Sequence, residues 1–110
     1  MIFGMTYKQG EILIVPFPFS DLSGIKRRPV LILSKNSKDL IICGITSNLK
    51  DKKHSVLIDN SNLSEGKIPK QSLIKVNKLF TIEESIIEKK VAKLNKETFE
   101  DVKKEFYSLV

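Results

Sequence analysis

The sequence predicts a mainly β protein, a small antiparallel barrel with one C-terminal helix. Short runs of Ile, Val and Leu, bounded by turn residues, recur along most of the chain and are typical of strands. The final residues change to a spacing of three or four, which is typical of a helix. Few crossover helices separate the apolar runs, which favours an antiparallel sheet, and closing the sheet protects its edges. The alternative is an open sheet with the helix packed on one face.

The apolar runs place the expected strands. The clearest runs lie at residues 12–15, 30–33, 40–45, 56–58 and 73–76, and a weaker candidate lies at residues 89–94. The first two runs are apolar at every position. Strands of that kind are covered on both faces, so we expect the barrel interior on one face and the helix or a second subunit on the other.

The C-terminal segment carries one apolar helical face. Its apolar residues recur at intervals of three and four, namely Phe99, Val102, Phe106 and Leu109. Asn95 is a suitable N-cap for this helix. A shorter helical turn is expected at residues 82–87, where Thr81 and Glu84 have the spacing of a capping box.

The connection between the first two expected strands is unusually long. It covers residues 16–28, whereas hairpin loops usually have about two to five residues. Pro16 and Pro18 limit its flexibility, and Phe17 and Phe19 are suited to anchor it on the barrel. We therefore expect a positioned flap with three successive cations at its far end.

Composition indicates one globular domain spanning residues 1–110. Apolar residues make up 41% and charged residues 29%, which excludes collagen-like and low-complexity classes. No apolar run approaches the roughly 20 residues that span a bilayer, and the N-terminus lacks the features of a signal peptide. The single cysteine, Cys43, cannot form an intrachain disulfide. We therefore expect a cytoplasmic protein with no membrane partner.

The charge distribution points to an anionic partner. Lys and Arg number 19 against 13 Asp and Glu, a net charge of +6. The segment from Ile25 to Lys53 holds eight cations and two acids, which accounts for the whole net charge. Nucleic acid is the first candidate for the partner, although a lysine-rich solvated surface has the same composition. Aromatic residues make up only 7% and Trp is absent, so few side chains are available for base stacking.

The usual catalytic constellations are absent from the sequence. His54 is the only histidine, and it is the sole candidate for a histidine base. No cluster of His and Cys has the spacing of a metal site, so we expect neither a metal nor a cofactor. Cys43 is expected to be a small buried apolar residue.

Polar groups at the ends of the expected strands are the remaining candidates. Arg28 directly precedes Pro29, which favours an extended backbone, and its guanidinium suits phosphate recognition. Thr46, Ser47 and Asn48 follow the third apolar run. Their hydroxyl and amide groups can bind a phosphate, or they can form a turn.

Several blocks of the chain resemble the PemK/MazF-like toxin family. The opening block, residues 10–12, 16–24 and 26–34, is the most specific part of the resemblance. Ile45-Thr46-Ser47 is similar to the end of the family's third strand, and Phe80-Thr81-Ile82-Glu83 is similar to its usual Arg-Thr-Ile-Asp segment. The C-terminal helix also fits. The resemblance extends from about Gly10 to Leu109, with its blocks in the family's order.

The resemblance implies a fold and an activity. The fold would be an SH3-like barrel of the CcdB/PemK type, and family members are typically homodimers. They are toxins of toxin–antitoxin systems that cut single-stranded RNA at short sequences without a metal. An acidic antitoxin neutralises them by covering the RNA groove, and the antitoxin-bound form is DNA-binding. We therefore expect an mRNA interferase, an endoribonuclease whose partners are RNA, a cognate antitoxin and a second copy of the chain.

The resemblance also implies roles for particular residues. By position, Arg28 matches the family's catalytic arginine and Thr46 its catalytic threonine. The RNA 2′-hydroxyl would attack the adjacent phosphorus and leave a 2′,3′-cyclic phosphate, while Arg28 stabilises the charge of the transition state. The other residues expected to contact RNA are Glu11, Lys26, Arg27, Ser47, Asn48, Lys75 and Asn77.

One departure from the family pattern concerns proton transfer. Some family members have an Arg-x-Asp pair where this sequence has Lys75-Val76-Asn77. An asparagine cannot accept a proton at neutral pH, so an aspartate-based acid–base step is unavailable there, although Lys75 keeps the positive charge. Glu11 is either a substitute base or a structural residue at the start of the first strand.

Two other functions remain open on the sequence. A related branch of toxins with the same barrel, the CcdB-like branch, poisons DNA gyrase through aromatic and C-terminal contacts. This chain has no Trp and ends in Tyr107-Ser108-Leu109-Val110, and the block around Arg28 favours the nuclease. Asn77 makes a non-catalytic RNA-binding module the other alternative.

Overall fold

A computed structural model describes residues 6–18 and 25–110 of the chain. These residues form seven strands and one α-helix. The strands are β1 (Glu11–Pro18), β2 (Ile25–Asn36), β3 (Asp39–Thr46), β4 (Ser55–Ile58), β5 (Leu63–Gly66), β6 (Ser72–Glu83) and β7 (Lys89–Leu94), and the helix is α1 (Lys96–Tyr107). Single-turn 3₁₀ helices at Asn60–Asn62 and Glu84–Ile86 precede β5 and β7.

All seven strands belong to one antiparallel sheet. Their order is β4-β6-β3-β2-β1-β7-β5, and each neighbouring pair runs antiparallel. The sheet curls into a half-barrel, and α1 packs against β4 and β6. This architecture confirms the predicted mainly β fold, a small SH3-like antiparallel barrel with one C-terminal helix.

Both faces of the central strands are buried. Alternate residues point to opposite faces of a strand. Ile12 and Leu31 therefore join Val102 of α1 in one apolar cluster, whereas Leu13 and Val30 belong to a second cluster on the other face. All five residues are 0% exposed. The expectation that these strands are covered on both faces is confirmed, and the single chain supplies the cover without a second subunit.

The connection between β1 and β2 is shorter than the sequence predicts. The two strands stay paired as far as Pro18 and Ile25, so residues 19–24 separate them. β1 pairs with β7 only as far as Ile14, which leaves one edge of β1 open beyond that point. Pro16 and Pro18 occupy alternate positions on this open edge, where a missing N–H leaves no sheet hydrogen bond unmade.

The flap predicted for this connection lies partly outside the described residues. Residues 19–24, including Phe19, and the side chain of Phe17 belong to that part. The cationic end of the expected flap, Lys26 to Arg28, is instead the beginning of β2.

β6 is longer than the apolar run that predicts it. It continues from Ser72 to Glu83 rather than ending near residue 76. Thr81 lies inside this strand and pairs with Ile41 of β3, so its predicted role as a helix cap is wrong. The helical turn begins at Glu84 as a 3₁₀ turn without a side-chain cap. Pairing with β3 therefore outweighs the local capping pattern.

β5 is a short edge strand that the apolar pattern does not predict. Its sequence is Leu-Ser-Glu-Gly, and it pairs with β7 at one edge of the sheet. Gly66 ends the strand with a φ of +74°, and a side chain there would overlap the main chain of Val91. Main-chain pairing and a required glycine, rather than hydrophobic periodicity, define this strand.

α1 begins where the sequence predicts. The Asn95 side chain accepts a hydrogen bond from the Thr98 amide at 2.8 Å, which satisfies one of the unpaired N–H groups of the first turn. Phe99 and Phe106 pack against the core cluster that contains the buried Val102. Within residues 6–18 and 25–110, no helix has the length and apolar character needed to cross a membrane.

Cys43 gives a test of the packing of β3. It is 0% exposed, as expected for a small apolar residue, and burial raises the pKa of its thiol to about 12. Almost none of it is the reactive thiolate at neutral pH. We predict that iodoacetamide labels Cys43 slowly in the folded protein and rapidly in denaturant, as measured by mass spectrometry. Rapid labelling under native conditions would contradict this packing.

Candidate nucleic-acid interface

Arg28 and Thr46 lie just beyond the end of the β2–β3 ladder. Pairing between these strands ends at Val30 and Gly44, next to Pro29, which has no amide hydrogen to donate. Arg28 and Thr46 are each two residues further along their strands, and both line the same two cavities. A residue before proline favours an extended backbone, which keeps Arg28 in line with β2.

Two clefts open on either side of this pair. The first cleft has a volume of about 410 Å³ and extends towards β6 and the β3–β4 loop, residues 47–54. Beside Arg28 and Thr46, the described polar and aromatic residues that line it are Asn48, Lys50, Asp51, Lys75, Lys78 and Phe80. The first cleft therefore combines several cations with a carboxylate, an amide and an aromatic ring.

The second cleft has a volume of about 620 Å³ and extends towards β1 and the connection from β5 to β6. Among the described residues, the charged ones that line it are all cations, namely Lys26, Arg27, Arg28, Lys67 and Lys70. Thr46, Ser47 and Ser72 add hydroxyl groups, and the other described lining residues are apolar. A surface of this kind attracts phosphate groups.

In the part of the chain that the structure describes, four residues line both clefts and form the ridge between them: Arg28, Pro29, Ile45 and Thr46. Arg28 and Thr46 are both half-buried. Partial burial reduces the screening of charge by water and salt, so the Arg28 guanidinium acts more strongly here than on an open surface.

The β3–β4 loop is braced by turns that begin at the ridge. The Thr46 hydroxyl accepts a hydrogen bond from the Asn48 amide at 3.1 Å, and the Asn48 side-chain oxygen accepts one from the Lys50 amide at 3.1 Å. The turn interpretation of this segment is therefore confirmed. Because the Thr46 hydroxyl accepts in its turn, it retains its own hydrogen as a donor.

Lys75 fixes the far side of the same loop. Its side chain is only 9% exposed, and its ammonium donates to the main-chain oxygens of Asp51 at 2.7 Å and Lys53 at 2.9 Å. The Asp51 carboxylate lies 3.7 Å from the same ammonium. A hydrogen bond from the Lys53 amide, and then the charge of Lys75, hold the pKa of Asp51 below its ordinary value. Lys75 therefore shapes the wall of the first cleft as well as lining it.

A bulge in β6 faces the first cleft. Where β3 advances by one residue, from Gly44 to Cys43, β6 advances by four, which leaves residues 76–78 without partners on β3. Within the bulge, Lys78 lines the first cleft, whereas Asn77 lines neither cleft. Phe80 follows the bulge, lines the first cleft and is 44% exposed.

Glu11 lies outside the lining of both clefts. It is 5% exposed, and its carboxylate accepts hydrogen bonds from the Lys8 amide at 2.8 Å and the Lys90 ammonium at 3.2 Å. Lys90 also pairs with Glu65 at 3.0 Å. These contacts join β1, β5 and β7, which favours the structural interpretation of Glu11.

The other charged or titratable candidates from the sequence are Lys26, Arg27 and His54. Lys26 is exposed beside the second cleft, whereas the neighbouring Arg27 donates from Nε to Glu88 at 2.7 Å. His54 is exposed at the end of the β3–β4 loop and lines neither cleft. Among residues 6–18 and 25–110, no group of three or more His, Cys, Asp and Glu side chains is placed to hold a metal.

Most of the residues expected to act on RNA meet at the clefts. Those lining one or both are Lys26, Arg27, Arg28, Thr46, Ser47, Asn48 and Lys75, whereas Glu11 and Asn77 line neither. The sequence did not identify as site residues the polar and aromatic lining residues Lys50, Asp51, Lys67, Lys70, Ser72, Lys78 and Phe80. Lys50 belongs to the basic segment, but no pattern distinguishes the other lysines from ordinary surface residues.

The contacts of Asp51 predict a pH dependence for the loop. Because its pKa is lower in the folded protein than in the unfolded chain, its contribution to stability is present at neutral pH and is lost as the pH falls through the folded-state pKa. We predict that the Lys53 amide resonance, followed by NMR as the pH is varied, titrates with a midpoint below the ordinary pKa of an aspartate. Lys75→Met should raise that midpoint, and Lys52→Met, which removes an exposed loop charge, should leave it unchanged. An ordinary midpoint in the unmodified protein would contradict these contacts.

The fold is similar to those of solved toxin structures. One is the MazE–MazF complex from Deinococcus radiodurans, with a TM-score of 0.72, 17% identity, and coverage of 94% of this chain and 94% of that chain. Another is a mycobacterial endoribonuclease in complex with its cognate antitoxin, with a TM-score of 0.70, 13% identity, and coverage of 94% and 93%. A third is the Mycobacterium tuberculosis toxin MazF-mt6, with a TM-score of 0.66, 17% identity, and coverage of 87% and 93%. At these identities the likeness establishes the fold.

Family membership is established by sequence. Comparison with curated proteins gave no significant match. A family model does match, over residues 8–110, which is nearly the whole chain. The chain belongs to the family of PemK-like, MazF-like toxins of type II toxin–antitoxin systems.

Proposed function

We propose that the protein is an endoribonuclease toxin that cuts single-stranded RNA at a short sequence. The ridge is the observation that carries this proposal, because its Arg28 and Thr46 both line two clefts that contain several cations. Membership of the toxin family supports it. So does the similarity in fold to a mycobacterial protein described as an endoribonuclease.

The proposed reaction is an internal displacement at phosphorus. The RNA 2′-hydroxyl loses its proton and its oxygen bonds to the adjacent phosphorus. The bond from phosphorus to the 5′-oxygen of the next nucleotide breaks, and that oxygen takes up a proton. The products are a 2′,3′-cyclic phosphate and a 5′-hydroxyl, and negative charge gathers on the phosphoryl oxygens in the transition state.

Arg28 is the group best placed to stabilise that charge. A guanidinium is planar, always charged and able to donate two parallel hydrogen bonds to two oxygens. In a site that excludes water, one such donor contributes about 3 kcal/mol, or about 10²-fold in rate. Thr46 retains its hydroxyl hydrogen while it accepts from the Asn48 amide, so it can donate to the same phosphate.

Among the described residues, none that lines the clefts is a strong general base for proton transfer. Asp51 is the one carboxylate that lines either cleft in that part of the chain. Its pKa is lowered, whereas an efficient general base has a pKa near the working pH. Glu11 is held by Lys90, and Asn77 has no basic group. We therefore assign most of the rate enhancement to charge stabilisation by Arg28.

The clefts also suit an acidic antitoxin. A peptide rich in Asp and Glu would compete with RNA for the same cations, since both partners are polyanions. A similar mycobacterial structure is described as an endoribonuclease in complex with its cognate antitoxin, and one from Deinococcus radiodurans is described as a MazE–MazF complex. We propose that a cognate antitoxin rich in Asp and Glu binds these clefts. We also propose that the protein acts in the cytoplasm.

A homodimer is the assembly that the family resemblance implies. The apolar faces of β1 and β2 are buried within one chain, so dimerisation would use other surfaces. We predict a dimer in sedimentation equilibrium at micromolar concentration. A single species with the mass of one chain would contradict it.

The proposed activity predicts cleavage of long single-stranded RNA in the presence of EDTA. We expect cuts at a short recurring sequence, with products that end in a 2′,3′-cyclic phosphate. Arg28→Ala and Thr46→Ala should each lower the rate by about 10²-fold or more, because each removes a contact made to the transition state. Lys104→Ala is the control, because it removes one charge from α1 and lines neither cleft.

Two results would contradict this proposal. Folded wild-type protein that binds RNA without cutting it would favour a non-catalytic RNA-binding module. The observation that supports this alternative is the lowered pKa of Asp51, which makes it a weak base. Equal cleavage by the wild-type protein and Arg28→Ala would place the reaction away from the ridge.

A further inference from the structure

We propose that the two clefts divide the work of RNA binding, and that the segment Lys67–Lys70 grips the RNA backbone in the second cleft. On this account the first cleft reads the bases on one side of the cut, and the second cleft holds the phosphates on the other side. The inference rests on the proposed function, because it takes the ridge as the place of the scissile phosphate.

The position of the ridge requires the RNA to enter both clefts. Arg28 and Thr46 belong to the lining of each. A phosphate that contacts both residues therefore lies at the boundary. The nucleotides before and after that phosphate extend away from it in opposite directions, so one part of the strand enters the first cleft and the other part enters the second.

The segment from Lys67 to Lys70 is built as a rigid wall of the second cleft. The Asn60 side chain donates to the main-chain oxygen of Ile68 at 3.1 Å and accepts from its amide at 2.8 Å. Ile68 is only 7% exposed and belongs to the core, and Ser72 donates to the main-chain oxygen of Lys70 at 3.0 Å. A backbone fixed in this way loses little conformational freedom when a ligand binds.

The wall presents two lysines to solvent. Lys67 and Lys70 are exposed, on either side of the buried Ile68, and both line the second cleft. Among the described residues, neither takes part in an ion pair. By contrast, Arg27 is paired with Glu88 in the same region. Within that part of the chain, no ion pair has to break before Lys67 and Lys70 bind phosphates.

The two clefts differ in the groups that they offer to RNA. The first contains the exposed ring of Phe80 and the amide of Asn48, which are the kinds of group that stack on bases or bond to their edges. The second offers cations, hydroxyls and apolar surface. Contacts from lysine to phosphate position a strand but carry no sequence information. This difference assigns sequence preference to the first cleft and backbone binding to the second.

The test measures RNA binding separately from cleavage. In a Thr46→Ala background, the affinity for a mixed-sequence single-stranded RNA is measured by fluorescence anisotropy over a range of salt concentrations. Lys67→Ala with Lys70→Ala should weaken binding and make the log–log salt dependence shallower by about 1.4, since each phosphate contact on a single strand contributes about 0.7. Lys96→Ala with Lys104→Ala removes the same charge from α1 and should leave the salt dependence unchanged.

A second variant separates the rigid backbone from the charge. Asn60→Ala removes both side-chain contacts to Ile68 but keeps every cation. We expect weaker RNA binding with an unchanged salt dependence, because the number of phosphate contacts stays the same while more freedom is lost on binding. Thermal unfolding of each variant checks that the fold is intact.

Cleavage with the Thr46 side chain restored tests the division of work. Lys67→Ala with Lys70→Ala should raise KM and leave both kcat and the cleavage sequence unchanged, whereas Phe80→Leu should alter the cleavage sequence. A changed cleavage sequence in the lysine variant would overturn the division of work.

The outcomes distinguish this inference from the proposed function. If the parent protein binds and cuts RNA but the lysine variant keeps the parental affinity and salt dependence, the inference fails and the proposed function stands. If the parent protein binds no RNA, both fail.

Discussion

The register between β2 and β3 is the constraint on which the candidate site depends. Strand residues alternate between two buried faces, so Leu31 and Ile32 each occupy a different core cluster. A slip of one residue would exchange every side chain between the faces, and the apolar packing on both faces opposes it. The register that packs the core also fixes where the ladder ends, at Val30 and Gly44, and Arg28 and Thr46 lie two residues beyond that point. The position of the candidate site at the end of this ladder is thus a consequence of core packing.

The walls of the clefts are held by a different kind of interaction. In each wall a side chain that lies outside the proposed reaction centre bonds to the main chain of a connection: Lys75 holds the β3–β4 loop, and Asn60 holds the connection from β5 to β6. Such bonds fix a loop without adding a secondary-structure element. The walls of the candidate site are therefore held in place without a ligand, and less of a ligand's binding free energy is needed to order them.

The sequence predicts those parts of the molecule that a local pattern determines. Apolar runs locate most strands, the cap at Asn95 locates the helix, and family resemblance selects Arg28. The features that the sequence did not predict, or predicted wrongly, have physical causes. The capping pattern at Thr81 is overridden by pairing across the sheet, and β5 depends on main-chain pairing and on Gly66 rather than on periodicity. The position of Lys67 depends on its neighbour Ile68, whose main chain bonds to the Asn60 side chain eight residues earlier. Neither apolar periodicity nor a capping pattern reports any of these contacts.

The most direct test of the ridge as a reaction centre is a double-variant cycle on Arg28 and Thr46. Single-turnover cleavage of one mapped RNA site is measured for the wild-type protein, Arg28→Lys, Thr46→Ala and the double variant. When two groups act together on the same phosphate, removing the second costs little once the first is lost. We therefore predict that the double variant cleaves RNA only slightly more slowly than the slower single variant. Losses that multiply would show that the two side chains act independently, which would contradict the account.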